Sequence, residues 1–482
     1  MDLEQAKKVF EQTDSVLVDN DNRYRESLRY YRNRNDIVLP NRSQKSKADQ
    51  EKEKPDDPLH KHDSRVSSNF HQILVDQKAA YVGSKPPVLD LGDDKTNEKV
   101  MNALGDEWLK IIYRLIVEAS LAGTGWLHVW IEENKFKYAV VPANEITPIY
   151  KSTLTNELLA VRRTYEQLDP NDGQTYIYDE YWTDKEATFF KRKQGSTYAE
   201  MVYNQSVRLI DSVNSDQLDQ VATMNHDFGV VPFIPFNNNS DKSPDLQKYK
   251  GIIDAYDLVY NGFINDVEDV QQVILILTNY SGMNKKEFLQ NLREFKLAEF
   301  ENEGGDDKSG LDKLTIDIPV EARKELLSET MNNIFIQGQG VNPNDLKAGT
   351  NITGIAIKML YGQLELKAGQ LEAEFRPAIS QLIRLVADNL DISLKDKPIK
   401  QTWTRFGIQN ESERADIISK LADHTSKASI AKANPLVEDW KEELEQQEKD
   451  ADDEAKHPDP FVPQPPIDED KSKDDEQVDD DE

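Results

Sequence analysis

The sequence predicts an α+β protein, a series of long helices interrupted by one antiparallel β module. Three observations lead there. Apolar residues recur every three to four positions up to about residue 122 and again from 249 onwards. Between 126 and 236 that period gives way to short alternating runs rich in Val, Ile, Trp and Tyr. Two helical runs, 249–277 and 354–391, are longer than one small core requires. At 482 residues, the chain has length for about three domains.

Taken in order, residues 2–34 read as a helix that places Tyr24, Leu28 and Tyr31 on one face. Arg23, Arg25, Arg29, Arg32 and Arg34 lie among them and fit a solvated or carboxylate-paired face better than a grip on nucleic acid. Asn41–Arg65 offers only Ala48 and Leu59 as apolar side chains apart from its prolines, and reads as a long exposed connection. A helix beginning at His71 stops at Gly83, before Pro86-Pro87. Another spans 96–122, with Val100, Leu104, Trp108, Ile112, Leu115 and Ala119 on its stripe, and ends at Gly123-Thr124-Gly125.

The β module follows. Trp126 to Pro142, 157–167, 174–182, 186–193 and part of 198–211 read as strands, with Asp169–Gly173 and Thr183–Lys185 as turns. Two prolines restrict Gly229–Phe236 to an extended edge or connector. From Tyr249 the helical period returns and runs to Leu277, a rod of roughly 40 Å. A polar insertion, 278–319, contains the strand-like Leu314–Ile318; a helix over 320–336 comes next, broken by Gln337-Gly338-Gln339-Gly340 and Asn342-Pro343-Asn344-Asp345. Gly354 to Asp391 reads as one helix interrupted at most by Pro377, and 408–447 is again helical, with a break at Asn434-Pro435.

The formal charge is −30, and residues 441–482 carry 19 acidic against 5 basic side chains, so −14 lies in the tail and −16 in the body. A tail this acidic, with Phe461 its one aromatic, cannot bury enough apolar surface to order itself, and reads as a disordered, solubilising segment. The acidity argues against a domain that grips nucleic acid over a basic face. Zero cysteines exclude disulfides, a zinc ribbon, a thiol nucleophile and an iron–sulfur cluster. Neither a signal-peptide core nor about 18 unbroken apolar residues occurs, so the chain reads as soluble, with no membrane partner.

Catalytic patterns are missing. No G-x-x-x-x-G-K-[ST] occurs, and Gly123-Thr124-Gly125 lacks the lysine of a phosphate cradle. His60 and His62 have no third ligand near them, and His71, His128 and His226 are isolated. Gly173 sits one position early for a calcium loop begun at Asp169, and pairs such as Asp179-Glu180 are too common here to single out a glycosidase. The expectation is a protein that is not an enzyme and needs no cofactor or metal.

Several stretches together resemble the portal (head–tail connector) proteins of long-tailed bacteriophages. They are Leu28-Arg29-Tyr30-Tyr31 with Asn35-Asp36-Ile37; Ser68-Asn69-Phe70 through Val75-Asp76-Gln77-Lys78 to Tyr81-Val82-Gly83-Ser84-Lys85-Pro86; Val141 to Tyr150; Gly229 to Asn238; and Gly251 to Asp257. Each is short, but the five occur in order across roughly residues 20–445. Ser84 is a departure, since the family often runs Gly directly into Lys-Pro.

The resemblance implies a ring subunit with a wing over 1–248, stem helices at 249–277 and 320–338 and a clip at 278–319. A tunnel loop at 339–353, a long wing helix and following strand at 354–407 and a helical crown at 408–447 would complete it, ahead of the acidic tail at 448–482. It further implies a homododecamer at one capsid vertex of the virion, assembled in the host cytoplasm. Double-stranded DNA would be packaged and ejected through its channel, driven by a separate terminase ATPase. The implied partners are the terminase large subunit, the head–tail adaptor, and the major capsid and scaffolding proteins. Asn284, Lys285, Lys286, Asp306 and Asp307 would be clip residues for docking. Ring closure would bury the apolar stripes of the long helices between neighbours.

The residues of the implied tunnel loop suit contact without tight binding. Gly338, Gly340, Gly349 and Gly354 would serve as hinges. Asn342, Asn344, Thr350 and Asn351 offer neutral hydrogen-bonding groups, and Lys347 one positive charge. A loop built to hold DNA would carry several cations, each adding counterion-release free energy. The same residues also fit a plain Gly/Asn-rich connector. An acid-lined channel would repel phosphate over a Debye length of about 8 Å and let a duplex slide. On the residues alone, a hydrolase without a recognisable motif and a non-portal helical scaffold stay open.

Overall fold

The computed structural model describes residues 1–39, 63–152, 154–170, 172–204, 222–270, 274–278, 310–314, 319–347, 358–394, 397–405, 419–420, 424–433, 437 and 443–450. The chain divides into two compact units, Met1–Thr350 with Met359–Gly407, and Asn351–Lys358 with Ile408–Glu482. Most of the expected polar connection 41–65, most of the insertion 278–319 and the tail from 451 lie outside the described residues.

Helix α1 (Leu3–Tyr31) starts at Asp2, whose side chain accepts from the Gln5 amide. Its arginines pair with carboxylates, Arg23 with Asp19, Arg25 with Asp21 and Arg29 with Asp36. Helix α2 (Phe70–Gly83) ends where the sequence predicts. The helix predicted over 96–122 is two, α3 (Asp94–Leu104) and α4 (Trp108–Ala122). Gly105 separates them by taking φ +70°, a conformation that closes α3 with its N–H on the Met101 carbonyl. Helix α4 ends at Gly123 in the left-handed region, φ +88°, and a Cβ there would lie 2.1 Å from the Lys242 carbonyl oxygen. Both conformation and space demand glycine, so the Gly-Thr-Gly run is a helix stop.

The β module resolves into two antiparallel sheets. Strands β2 (Thr124–Glu132), β3 (Lys135–Val141) and β10 (Phe233–Asn237) form one, in the order β10-β2-β3, which leaves the proline-bearing β10 on an edge as expected. The other runs β4 (Ile146–Tyr150), β5 (Leu158–Leu168), β6 (Thr175–Trp182), β7 (Glu186–Lys193) and β8 (Val202–Tyr203), with β9 (Thr223–Asn225) also on β7. Strand β1 (Val88–Asp90) pairs with β13 (Lys400–Thr402). The larger sheet carries a buried ion pair: all five N–H donors of Arg162 are engaged, by Asp179 Oδ1, the Phe10 carbonyl, Thr13 and Tyr198.

The helix predicted to run to Leu277 stops earlier. Helix α5 spans Lys250–Val270, and β11 (Ile274–Thr278) pairs antiparallel with β12 (Gly310–Leu314). Ile274-Leu275-Ile276-Leu277 is an unbroken apolar run that periodicity cannot assign, and pairing with a distant strand decides it. Helix α6 (Val320–Gly338) follows, then the short α7 (Pro343–Lys347) at a position expected to be a break. Helix α8 (Gly362–Asn389) runs through Pro377.

The main core lies between α4, α8 and the smaller sheet. Leu364, Leu371, Phe375, Ile379, Leu382, Ile383 and Val386 of α8 are buried there, within the subunit. The expectation that α8 keeps its apolar stripe for a neighbouring subunit is therefore corrected. Helices α5 and α6 behave differently: Tyr249, Ile253, Ile334 and Phe335 form a cluster with Tyr30, Phe70 and Leu74, while Leu258, Leu326 and Ile336 remain exposed. In the second unit, α9 (Lys427–Ala433) and residues 443–447 are helical, as the pattern over 408–447 predicts, and the helix continues to 450, three residues into the segment expected to be a disordered tail; Asn434-Pro435 lies outside the described residues. No helix among the described residues is long and apolar enough to cross a membrane.

Candidate functional site

The segment leaving α6 is the part of the implied loop that the structure describes, and its geometry begins with how that helix stops. Gln339 adopts φ +53°, its N–H bonding to the Ile336 carbonyl at 3.1 Å, while the Gly340 N–H reaches the Phe335 carbonyl at 2.9 Å. These two bonds are a Schellman cap. The left-handed position falls to a glutamine, at a cost of about 1–2 kcal/mol.

The flanking glycines serve another purpose. Gly338 and Gly340 do not have positive φ; a Cβ on either would press into Leu74 of α2, at 2.5 Å and 2.3 Å respectively. Expected as hinges, in this structure they are points of close contact, because only a missing side chain lets the helix end lie on Leu74. Gly349 and Gly354 lie outside the described residues.

Gln77, on the same face of α2 one turn later, holds the next residue twice. Its amide nitrogen donates to the Val341 carbonyl at 2.8 Å, and its amide oxygen accepts from the Val341 N–H at 3.0 Å. Val341 is buried in the main core. Asn342 is buried too: its amide oxygen accepts from the Asn344 N–H at 3.0 Å, and its amide nitrogen donates to Asn332 at 2.8 Å. With Pro343 as first helical residue, Asn342 caps α7. A side chain expected to face DNA is thus spent inside the chain. Asn344 is exposed; the side chain of Lys347, together with Thr350, Asn351 and the docking residues Asn284, Lys285, Lys286, Asp306 and Asp307, lies outside what is described.

Beneath the cap sits a buried cluster of charge that the sequence reading missed. The Lys367 ammonium of α8 donates to the Gly338 carbonyl at 2.9 Å and lies 3.0 Å from Asp245 Oδ2. Lys78 of α2 lies 2.7 Å from the same oxygen and donates to Asn238 at 2.7 Å, and Asn238 donates to Asp245 Oδ1 at 2.9 Å. All three charged groups are buried. Burial alone would raise the Asp245 carboxyl, but Lys367 and Lys78 hold it well below the usual carboxylate range. Burial depresses Lys78 to about 8 against the pull of Asp245. The surplus positive charge faces the C-terminal end of α6, where the helix dipole favours a cation.

His71 extends the network. Its ring nitrogens meet Tyr249 Oη at 2.8 Å and Ser27 Oγ at 3.0 Å, and burial pushes it down to about 3. It is neutral and structural. A signal for the cluster exists in the sequence: Lys78 and Lys367 occupy positions in register with the apolar stripes of their helices, alongside Val75 and Val82, and Leu364 and Leu371. Nothing local marks Asp245 as their partner.

The family model described as phage portal protein, SPP1 Gp6-like, matches residues 19–457. The portal protein of Clostridium phage phiCD119 is 38% identical over 427 residues, covering 86% of this chain and 89% of that protein. The portal protein of Bacillus phage SPP1 is 29% identical over 459 residues, covering 92% and 87%. Among solved structures, a chain in the neck of a native GTA particle, computed with C12 symmetry, is similar over 77% of this chain and 90% of that one, at 12% identity and a TM-score of 0.45. A chain in the neck of an empty GTA particle is similar at a TM-score of 0.44, with 11% identity and coverage of 76% and 90%.

Proposed function

Because the chain belongs to the SPP1 Gp6-like phage portal proteins, we propose that it closes with copies of itself into a twelve-membered ring at one capsid vertex and that viral double-stranded DNA enters and leaves through that ring. The observation that carries this reading is the family match over residues 19–457, which includes the whole junction between α6 and α8. In this assignment α5 and α6 are the stem, the insertion between them is the clip, and 339–353 is the loop that meets DNA. Residues 354–407 belong to the wing, and 408–447 form the crown. The ring is a passive channel, with the work of packaging done by a terminase ATPase that docks on the clip and is later replaced by the head–tail adaptor. Assembly takes place in the host cytoplasm with capsid and scaffolding proteins, and the product resides in the virion.

The exposed apolar residues Leu258, Leu326 and Ile336 on the stem helices support closure, since a ring would cover them. Electron microscopy of the purified protein tests the assembly: rings with an axial channel are expected, and a stable monomer refutes them. The loop role is tested by Lys347→Ala combined with shortening within 343–350. Rings are expected to form while nuclease-protected DNA falls; normal packaging by such rings removes the loop from the mechanism.

A further inference from the structure

We infer that the α6 side of the loop, Gly338–Asn342, is a fixed clamp that stays seated on α2 and α8 while DNA passes, with Lys367 and Gln77 as its positioning residues. This rests on the reading of 339–353 as the DNA-facing loop. Five consecutive residues are tied down in five ways. Lys367 caps the Gly338 carbonyl, the Schellman bonds fix Gln339 and Gly340, and Gln77 grips both polar groups of the Val341 backbone. Asn342 is bonded on both sides of its amide, and Leu74 fills the space over both glycines.

To swing at Gly338 or Gly340, the chain would have to withdraw Val341 from the core and leave the buried Lys367 ammonium and the half-buried Gln77 amide short of partners. Groups left unpaired there are costly. Glycine is present here to allow approach, and its conformational freedom is unused, since Gln339 takes the left-handed angle. Any rearrangement of the loop during translocation therefore begins beyond Asn342.

Two measurements on assembled rings test this. In hydrogen exchange, the Gly340 and Val341 amides are expected to be protected like the core of α4. Lys367→Met or Gln77→Leu is expected to speed their exchange about tenfold more than that of α4 in the same variant, and Lys367→Arg to restore part of the protection. Fast exchange at these amides in unmodified rings overturns the clamp. The chain has no cysteine, so Leu74→Cys with Gly338→Cys introduces a single possible pair: Leu74 Cγ lies 3.2 Å from where the Gly338 Cβ would be, close enough for a disulfide. Oxidised rings are expected to package DNA as well as the same rings reduced. Packaging blocked by oxidation and restored by reduction overturns the inference, and if the double variant does not assemble, the exchange measurement decides. The loop's DNA role fails separately: shortening 343–350 without effect on packaging refutes that role and leaves the exchange result standing.

Discussion

The Lys367 ammonium donates to the Gly338 carbonyl at 2.9 Å while sharing Asp245 with Lys78, so one buried carboxylate serves two cations and one of those cations closes a helix. Asp245→Asn leaves two buried ammoniums without a counter-charge and is expected to cost about 3–5 kcal/mol. Lys367→Met keeps the Lys78–Asp245 pair and frees one carbonyl, for a loss of about 1–3 kcal/mol. Thermal unfolding of the purified variants gives the order, and a smaller loss for Asp245→Asn than for Lys367→Met would contradict the shared-acid arrangement.

Arg162 fastens α1 to the larger sheet. Its guanidinium lies 4.5 Å from the Phe10 ring centre and spends all its N–H groups inside the protein. Asp179→Asn leaves the guanidinium with only the longer 3.7 Å pairing to Asp14 as counter-charge and is expected to destabilise by about 3 kcal/mol, whereas replacing both partners with leucine costs less than either single change. Limited proteolysis should cut first within 1–20 in the Asp179→Asn variant. Unaltered cleavage there would mean that α1 is held by other contacts.

His71 makes stability depend on acid. The folded protein resists protonating it until about pH 3, because burial disfavours the charged ring and Lys367 and Lys78 repel it, although Asp245 attracts it. The unfolded chain takes that proton near 6.5, so between 6.5 and 3 the unfolded state binds more protons. Its stabilising contribution is whole above pH 6.5 and drains as pH falls towards 3, by on the order of 5 kcal/mol at most. Denaturant midpoints recorded against pH are expected to fall less steeply over that window for His71→Gln; an identical slope would assign the acid sensitivity to other groups.

Leu258 and Ile336 are 65% and 62% exposed, on helices otherwise packed against each other and against Tyr30, Phe70 and Leu74. Changing either to Asp removes little intramolecular packing, so the subunit's unfolding midpoint is expected to move by less than about 0.5 kcal/mol in equivalent stability. Ring formation, read by sedimentation, is expected to drop sharply. Full assembly of both variants would place the subunit interface elsewhere.

Much of this architecture is legible along the chain because its signals are local. Gly83, Gly123 and the switch of period at Trp126, two residues inside the strand that begins at Thr124, mark boundaries through chemistry carried by one or two residues. The failures share a cause as well. The run Ile274–Leu277 has no period to read, and Gly105 interrupts a stripe whose apolar spacing continues across it. At the candidate site, Gly338 and Asn342 suggest freedom and outward hydrogen bonding, and the fold instead uses one for close packing and the other as a helix cap.

The sequence by itself determined the fold class, the order of its elements and the resemblance to phage portal proteins, since periodicity, turn chemistry and short motifs are all written in neighbouring residues. Only the tertiary structure decided that α8 buries its stripe within the subunit, that Lys78, Asp245 and Lys367 meet, and that Gln77 holds Val341. Those partners are separated by more than a hundred residues, and nothing in the local spacing of a lysine or a glutamine encodes which distant carboxylate or backbone the fold will bring to it.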